Sequence, residues 1–193
     1  MSLRILVVDR HAERAKQVVR ALEGVGHEVT PVIRANVDLY REVQVRAPDV
    51  IVVSMDSPSR DTLESIQAIT AGQPRPIVMF SNAADEETIH SAIRAGVSAY
   101  VVDGLQPHRL KAIMDVAIAR FREFQALRQE LHQARQSLAE RKVIDRAKGI
   151  LMKTRGLSED EAYTALRKMA MARNRKLVEI AESVITALDL LGS

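Results

Sequence analysis

Short apolar runs alternate with amphipathic stretches through the first 120 residues of this 193-residue chain. The runs are Arg4–Val8, Val29–Ile33, Val50–Met55, Ile77–Phe80 and Ala99–Val102. Between them, apolar residues recur at helical spacing near residues 11–22, 37–46, 61–71 and 85–95. This alternation predicts an α/β domain in which helices cover both faces of a parallel sheet.

Polar residues follow the predicted strands at their carboxyl ends. In a doubly wound sheet these ends meet at one edge, where ligands bind. We therefore expect a single pocket that is formed by six residues: Asp9, Arg10, Ser54, Asp56, Ser81 and Asp103.

A single long helix is predicted from Pro107 to about Thr154, because only Gly149 interrupts the pattern. Residues 107–120 are expected to pack on the sheet. Beyond them, apolar residues seven apart predict a short coiled coil that pairs two chains. We call its four apolar positions the seam residues; they are Phe124, Leu127, Leu131 and Leu138.

Two shorter helices are predicted after Gly156, which should end the long helix. Ser158 and Glu161 have the spacing of a capping box and predict that the next helix begins there. Asn174 is expected to be the N-cap of the last helix. Two short helices bury little surface by themselves. The end of the long helix is therefore expected to be the third helix of this module and to form one of its walls.

Positive charge is concentrated in residues 141–155, which we call the basic stretch. Its six cations, which accompany one acid, Asp145, are Arg141, Lys142, Arg146, Lys148, Lys153 and Arg155. Apolar residues recur at helical spacing within the stretch, so one face is expected to be buried and the cations to lie off it. Charge alone leaves two interpretations open, a solvated face or a surface that binds a polyanion.

The two halves of the chain differ in charge. Residues 1–119 contain 13 basic and 15 acidic residues, whereas residues 120–193 contain 15 and 10. The chain has no cysteine, its five histidines lack metal-ligand spacing, and we expect no metal, no cofactor and no enzymatic site. We see no signal peptide and no membrane-spanning run, so a cytoplasmic protein is expected.

Motifs in both halves resemble known families. Ile5–Asp9, Pro48–Val53, Pro58 and Gly96–Tyr100 resemble a response-regulator receiver domain, and thus imply a flavodoxin-like five-stranded sheet. Ala147–Met152, Ser158, Glu161–Tyr163, Leu166–Arg167, Ala170–Met171 and Ile180–Ala181 resemble an ANTAR domain. The chain is similar to AmiR/NasT-type antitermination regulators, with features of the NasT branch at Ser57–Leu63 and Tyr100–Leu105. The expected domains are a receiver-like domain (1–120), a coiled-coil linker (121–138) and an ANTAR domain (139–193).

The ANTAR resemblance implies binding to paired stem-loops in leader transcripts, which prevents a terminator hairpin. The expected RNA-binding residues are the six cations together with Gly149, Tyr163 and Arg167. Gly149 costs a helix about 1 kcal/mol relative to Ala, so a close approach of RNA or of another helix is expected there. Tyr163 is expected either to stack on a base or to be buried.

The receiver resemblance implies a phosphorylation site whose chemistry this chain lacks. Counting back four residues from Pro58 reaches Ser54 where the acceptor carboxylate is expected. Arg10 stands in place of a second acid and Asp103 in place of a lysine. We expect Arg10 to occupy the place of a magnesium ion by pairing with Asp9 or Asp56. Asp56 is the alternative acceptor, although it lies past the strand end.

Because phosphorylation is not expected, the resemblance implies that a ligand-binding sensor protein of the NasS/AmiC kind controls this regulator. The regulator and its sensor would form a two-component system. The NasT-like features imply that this system regulates nitrate or nitrite assimilation. Two alternatives stay open. One is a DNA-binding response regulator whose last helices mimic a helix-turn-helix. The other is an adaptor that binds proteins and no nucleic acid.

Overall fold

A computed structural model describes residues 2–32, 38–102 and 106–191 of the chain. Its first part contains a parallel five-stranded sheet with the order β2-β1-β3-β4-β5. The strands are β1 (Arg4–Asp9), β2 (Glu28–Val32), β3 (Val50–Met55), β4 (Ile77–Ser81) and β5 (Ala99–Val102). All five were predicted from the apolar runs, with ends that differ by at most one residue; Ile33, the expected end of β2, lies outside the described residues.

Four helices connect these strands, and all four were predicted. They are α1 (Ala12–Glu23), α2 (Leu39–Arg46), α3 (Arg60–Gly72) and α4 (Glu86–Ala95). Local sequence explains where three of them begin, because Asp38, Ser59 and Asp85 each accept a hydrogen bond from the backbone amide three residues ahead. Gly96 ends α4 in the left-handed conformation, with φ of 112°.

Alternate residues of each strand supply two separate cores. Leu6, Ile51 and Met79 pack with residues of α2, α3 and α4 on one face of the sheet. Their neighbours Val7 and Val52 pack with α1 and with the start of the next helix on the other. Both faces are therefore covered, which confirms the doubly wound α/β fold.

The long helix α5 runs from Pro107 to Arg155, and two helices follow, α6 (Glu159–Arg173) and α7 (Leu177–Leu191). Leu110, Met114 and Ala117 at the start of α5 pack against the sheet. Ala147 and Leu151 near its end pack with α6 and α7 in a third core. This confirms the all-helical module in which the long helix forms one wall.

The connections between these helices follow local sequence, with one exception. Gly156 has φ of 66° after the end of α5, and Ser158 and Glu161 form the predicted capping box. The prediction for Asn174 was wrong. It is the left-handed C-cap of α6, with φ of 49°, rather than the N-cap of α7. Asn tolerates this conformation and so serves helix ends as well as helix starts.

The described chain divides into two compact units, Met1–Gln125 and Ala126–Ser193. The division falls near the start of the predicted linker and places most of that linker in the second unit. None of the helices that the structure describes is both long and apolar enough to cross a membrane.

Candidate functional site

The carboxyl edge of the sheet gathers the predicted pocket residues that the structure describes. Asp9 and Ser54 are partners in the register of β1 and β3, and both are buried. Ser81 at the end of β4 is also buried. Asp9, Ser54 and the exposed Arg10 line a cavity of about 460 Å³ that extends to the first turn of α3. Asp103 lies outside the described residues.

The cation that pairs with Asp9 is Arg14 of α1. Arg14 Nε lies 2.6 Å from Asp9 Oδ2 and Arg14 Nη2 lies 2.9 Å from Asp9 Oδ1, so the pair is bidentate. The backbone amide of His11 donates a further hydrogen bond to Asp9 Oδ1, at 2.8 Å. The hydrogen bond with Asp9 raises the pKa of Arg14 above its ordinary value.

This contact corrects the expectation for Arg10, which is exposed and makes none of the ion pairs found among the described residues. Arg14 also lies 3.9 Å from Asp56 Oδ1, so one guanidinium stands between the two carboxylates. Sequence reasoning missed Arg14 because it searched residues beside the strand ends. Only the packing of α1 brings this position, inside a helix, over the end of β1.

The loops after β3 and β4 are joined by hydrogen bonds to Asp56. Ser81 Oγ donates to the Asp56 carbonyl oxygen at 3.0 Å, which also accepts the amides of Asn82 and Ala83 at 3.1 Å. Ser81 Oγ in turn accepts the Ala83 amide at 3.2 Å. The Ser81 hydroxyl, at the predicted pocket, is therefore engaged by the backbone of these loops.

The donor set does not fit a magnesium ion. Ser54 supplies a neutral hydroxyl where a carboxylate would be needed, and Arg14 already neutralises Asp9. Within the described ranges, no group of three or more His, Asp or Glu side chains is arranged to hold a metal. The pocket thus has neither an anionic acceptor at β3 nor a ligand set for a hard cation.

A second candidate site is the basic stretch on the last turns of α5. Ala147 and Leu151 are buried, and Lys142, Arg146, Gly149 and Lys153 are exposed. These four are separated by steps of three or four residues, so they share one face of the helix, turned away from the buried pair. We call them the basic face.

Lys148 is not part of this exposed face. Its side chain is only 14% exposed, and its Nζ lies 2.8 Å from Asp145 Oδ1 and 2.6 Å from Glu159 Oε1. The hydrogen bond with Asp145, and then that with Glu159, raise the pKa of Lys148. The same contact with Lys148 lowers the pKa of Asp145. Lys148 therefore joins α5 to the first turn of α6 and has little surface left for a ligand.

Gly149 has open space around it. A Cβ atom added at this position would meet nothing within 4 Å among the described residues. No helix of the described residues therefore packs closely on Gly149. The close approach of RNA, or of a helix from another chain, stays a prediction.

The other predicted RNA-binding residues lie on exposed surface. Arg141 Nε is 3.9 Å from Asp145 Oδ2, and Arg146 Nη2 is 3.6 Å from Asp189 Oδ1. Such exposed pairs are weak and exchange readily for other anions. The remaining residues are Arg155, Arg167 and Tyr163, and the Tyr163 residue is 43% exposed. Tyr163 is therefore not buried.

The seam residues are also exposed on α5. Phe124, Leu127, Leu131 and Leu138 have exposed fractions between 51% and 61%. Apolar side chains that recur at heptad spacing and meet solvent are the pattern that a coiled coil covers with a second helix.

Comparison with known proteins agrees with this architecture. Residues 5–115 match the response regulator receiver domain, and residues 132–185 match the ANTAR domain. The chain belongs to the response regulator family, in which it carries a receiver domain followed by an ANTAR domain, as in regulators of the AmiR/NasT type. The resemblance read from the sequence is confirmed.

Three similar proteins illustrate the match. The chain is 26% identical to the transcriptional regulatory protein PdtaR of Mycobacterium tuberculosis, over 96% of this chain and 90% of that protein. It is 40% identical to a nitrate regulatory protein of Klebsiella oxytoca over 42% of this chain and 20% of that protein. The crystal structure of NtrX from Brucella abortus superposes with a TM-score of 0.55 at 27% identity, over 67% of this chain and 29% of that one.

Proposed function

We propose that this protein is a cytoplasmic transcription antiterminator that binds stem-loops in leader transcripts and so prevents formation of a terminator. The observation that carries the proposal is the basic face, in which Gly149 lies open between exposed cations. The match to an ANTAR domain and the regulatory names of the relatives support it. In this role the protein binds and releases RNA and catalyses no reaction.

The chemistry of the basic face suits RNA. Lysine and arginine side chains neutralise backbone phosphates, and a position without a side chain lets a sugar–phosphate backbone approach the helix closely. Tyr163 offers a partly exposed ring on which an unpaired loop base can stack. Arg141, Arg155 and Arg167 extend the positive surface around these groups.

Dimerisation through the seam residues belongs to the same proposal. Two copies paired along α5 would present two basic faces, which matches a target made of paired stem-loops. Each copy would then bind one stem-loop. Because the two copies are joined, binding of the first stem-loop raises the effective concentration of the second at its basic face.

The receiver pocket supports control by a sensor protein rather than by phosphorylation. Arg14 neutralises Asp9, and Ser54 cannot form an acyl phosphate. Acetyl phosphate or beryllofluoride should therefore leave the protein unmodified and its RNA affinity unchanged. A stoichiometric acid-labile phosphate on Asp56 would contradict this. A ligand-binding partner, such as a nitrate or nitrite sensor, would then hold and release the regulator.

The decisive experiment is RNA crosslinking in cells followed by folding of the bound leader sequences. We expect paired hairpins that overlap a terminator. Competition between stem-loop RNA and duplex DNA in vitro separates this function from that of a DNA-binding response regulator. Recovery of no RNA, with binding to proteins alone, would indicate an adaptor.

A further inference from the structure

Lys148 stands out among the six cations of the basic stretch because acidic side chains already occupy its amine. Asp145 lies one turn before it on α5, whereas Glu159 belongs to the first turn of α6. The Glu159 contact joins one helix to the next across the turn at Gly156, which has φ of 66°. It is the one ion pair found between α5 and α6 in the part of the chain that the structure describes.

Glu159 is the first residue of α6 and lies on the same face of that helix as Tyr163 and Arg167. These residues follow it by four and eight positions, so they lie on the same side of the helix, one and two turns further on. Both are exposed. Any rotation of α6 about its axis would carry the ring of Tyr163 and the guanidinium of Arg167 away from their present direction.

We propose that Lys148 is a positioning residue that contacts no RNA. It holds α6 against α5 through Glu159, so that Tyr163 and Arg167 face the RNA that the basic face binds. This inference rests on the proposed function for its RNA readout. It separates Lys148 from Lys142 and Lys153, which have exposed side chains and bind phosphates directly.

The first test measures affinity for a stem-loop RNA by fluorescence anisotropy, in the full-length protein. Lys148→Met and Glu159→Gln should each weaken binding by a similar factor, roughly fivefold. The double variant should be no weaker than either alone, because both changes remove one contact. Lys148→Arg, which keeps the charge and can pair with both acids, should restore most of the affinity.

The salt dependence of binding distinguishes positioning from direct contact. Each phosphate contact contributes about 0.7 to 0.9 to the slope of log K against log salt. Lys142→Met should lower the slope by about one contact, whereas Lys148→Met should leave it unchanged. The proposal is overturned if Lys148→Met lowers this slope and Glu159→Gln tightens RNA binding. Those results would mean that Lys148 contacts a phosphate and that Glu159 competes with RNA for it.

A second measurement tests the positioning without RNA. The chain has no cysteine, so Ala139→Cys and Thr164→Cys place single spin labels on exposed positions of α5 and α6. Labelled chain is diluted into excess unlabelled chain so that only distances within one copy are read. Lys148→Met should broaden or shift the distance distribution, and an unchanged distribution refutes the proposal. Failure of the wild-type protein to bind RNA would refute the proposed function alone.

Discussion

Replacing Gly149 by Ala should raise stability and lower RNA affinity, two effects of opposite sign from one methyl group. Gly149 lies inside α5, and a Cβ atom there meets no atom of the described residues within 4 Å. The substitution therefore adds no clash to the folded chain. It removes only the backbone entropy that a glycine loses when it enters a helix.

The size of the stability change follows from helix propensity. Glycine costs about 1 kcal/mol relative to alanine in an exposed helix interior, so the free energy of unfolding should rise by about that amount. For a folded unit of the size of Ala126–Ser193, this corresponds to an increase of roughly 4–8 °C in the melting temperature of that unit. RNA affinity should fall, because the methyl group would occupy the space that the RNA backbone enters in the proposed function.

Thr186→Ala provides the control, measured in the same way by thermal unfolding and RNA anisotropy. Thr186 is exposed on α7, and its hydroxyl donates to the carbonyl of Glu182 in its own helix. Alanine there should also stabilise a helix, by a few tenths of a kcal/mol. It should not alter RNA affinity, so it separates the effect of stability from the effect of the binding face.

Two results would refute the reasoning for Gly149. A destabilised Gly149→Ala protein would mean that another backbone packs on this position in the folded protein. A stabilised protein with unchanged RNA affinity would mean that no RNA backbone approaches Gly149. The basic face would then lose the main observation in favour of RNA binding there.

Three further predictions concern other parts of the chain. Arg14→Met leaves the buried carboxylate of Asp9 without its cation. It should lower the free energy of unfolding, measured by urea titration, by about 2 kcal/mol. This is less than the cost of breaking a fully buried pair, because the Arg14 side chain is 28% exposed. The capping box lowers the pKa of Glu161 below 4.5, so its stabilisation is present above that pH and is lost as the pH falls through the folded value. Glu161→Gln should flatten that part of the acid-unfolding profile. In the dimer that we propose, Leu131→Glu places a charge on the seam and should shift the protein from dimer to monomer in light scattering.

Matched variants serve as controls for these changes. Arg60→Met breaks a pair with Glu64 in which both side chains are well exposed, and it should change stability little. Gln133→Glu adds the same charge as Leu131→Glu on the same exposed helix but off the seam, and should leave the dimer intact. If Arg14→Met and Arg60→Met change stability equally, or if Leu131→Glu and Gln133→Glu change the oligomeric state equally, the contacts that we assign are contradicted. For Glu161, an acid-unfolding profile that is the same in the Gln variant would contradict the role of the capping box.

The elements of the fold were readable in the sequence where local rules act. Strands buried on both faces appear as short apolar runs, and Ser59, Asp85 and Ser158 begin helices through hydrogen bonds within one turn. Asn174 was misassigned because its side chain suits either end of a helix.

The chain by itself determined the order of the strands and helices, the carboxyl edge where Asp9 and Ser54 meet, and the density of positive charge in residues 141–155. These follow from periodicity, burial and local hydrogen bonding, which neighbouring residues decide. The tertiary structure alone decided which charges are paired. Arg14 rather than Arg10 reaches Asp9, and Lys148 is held by Glu159 while Gly149 lies open. Pairing depends on distances between helices and strands that pack together, and spacing along the chain does not set those distances.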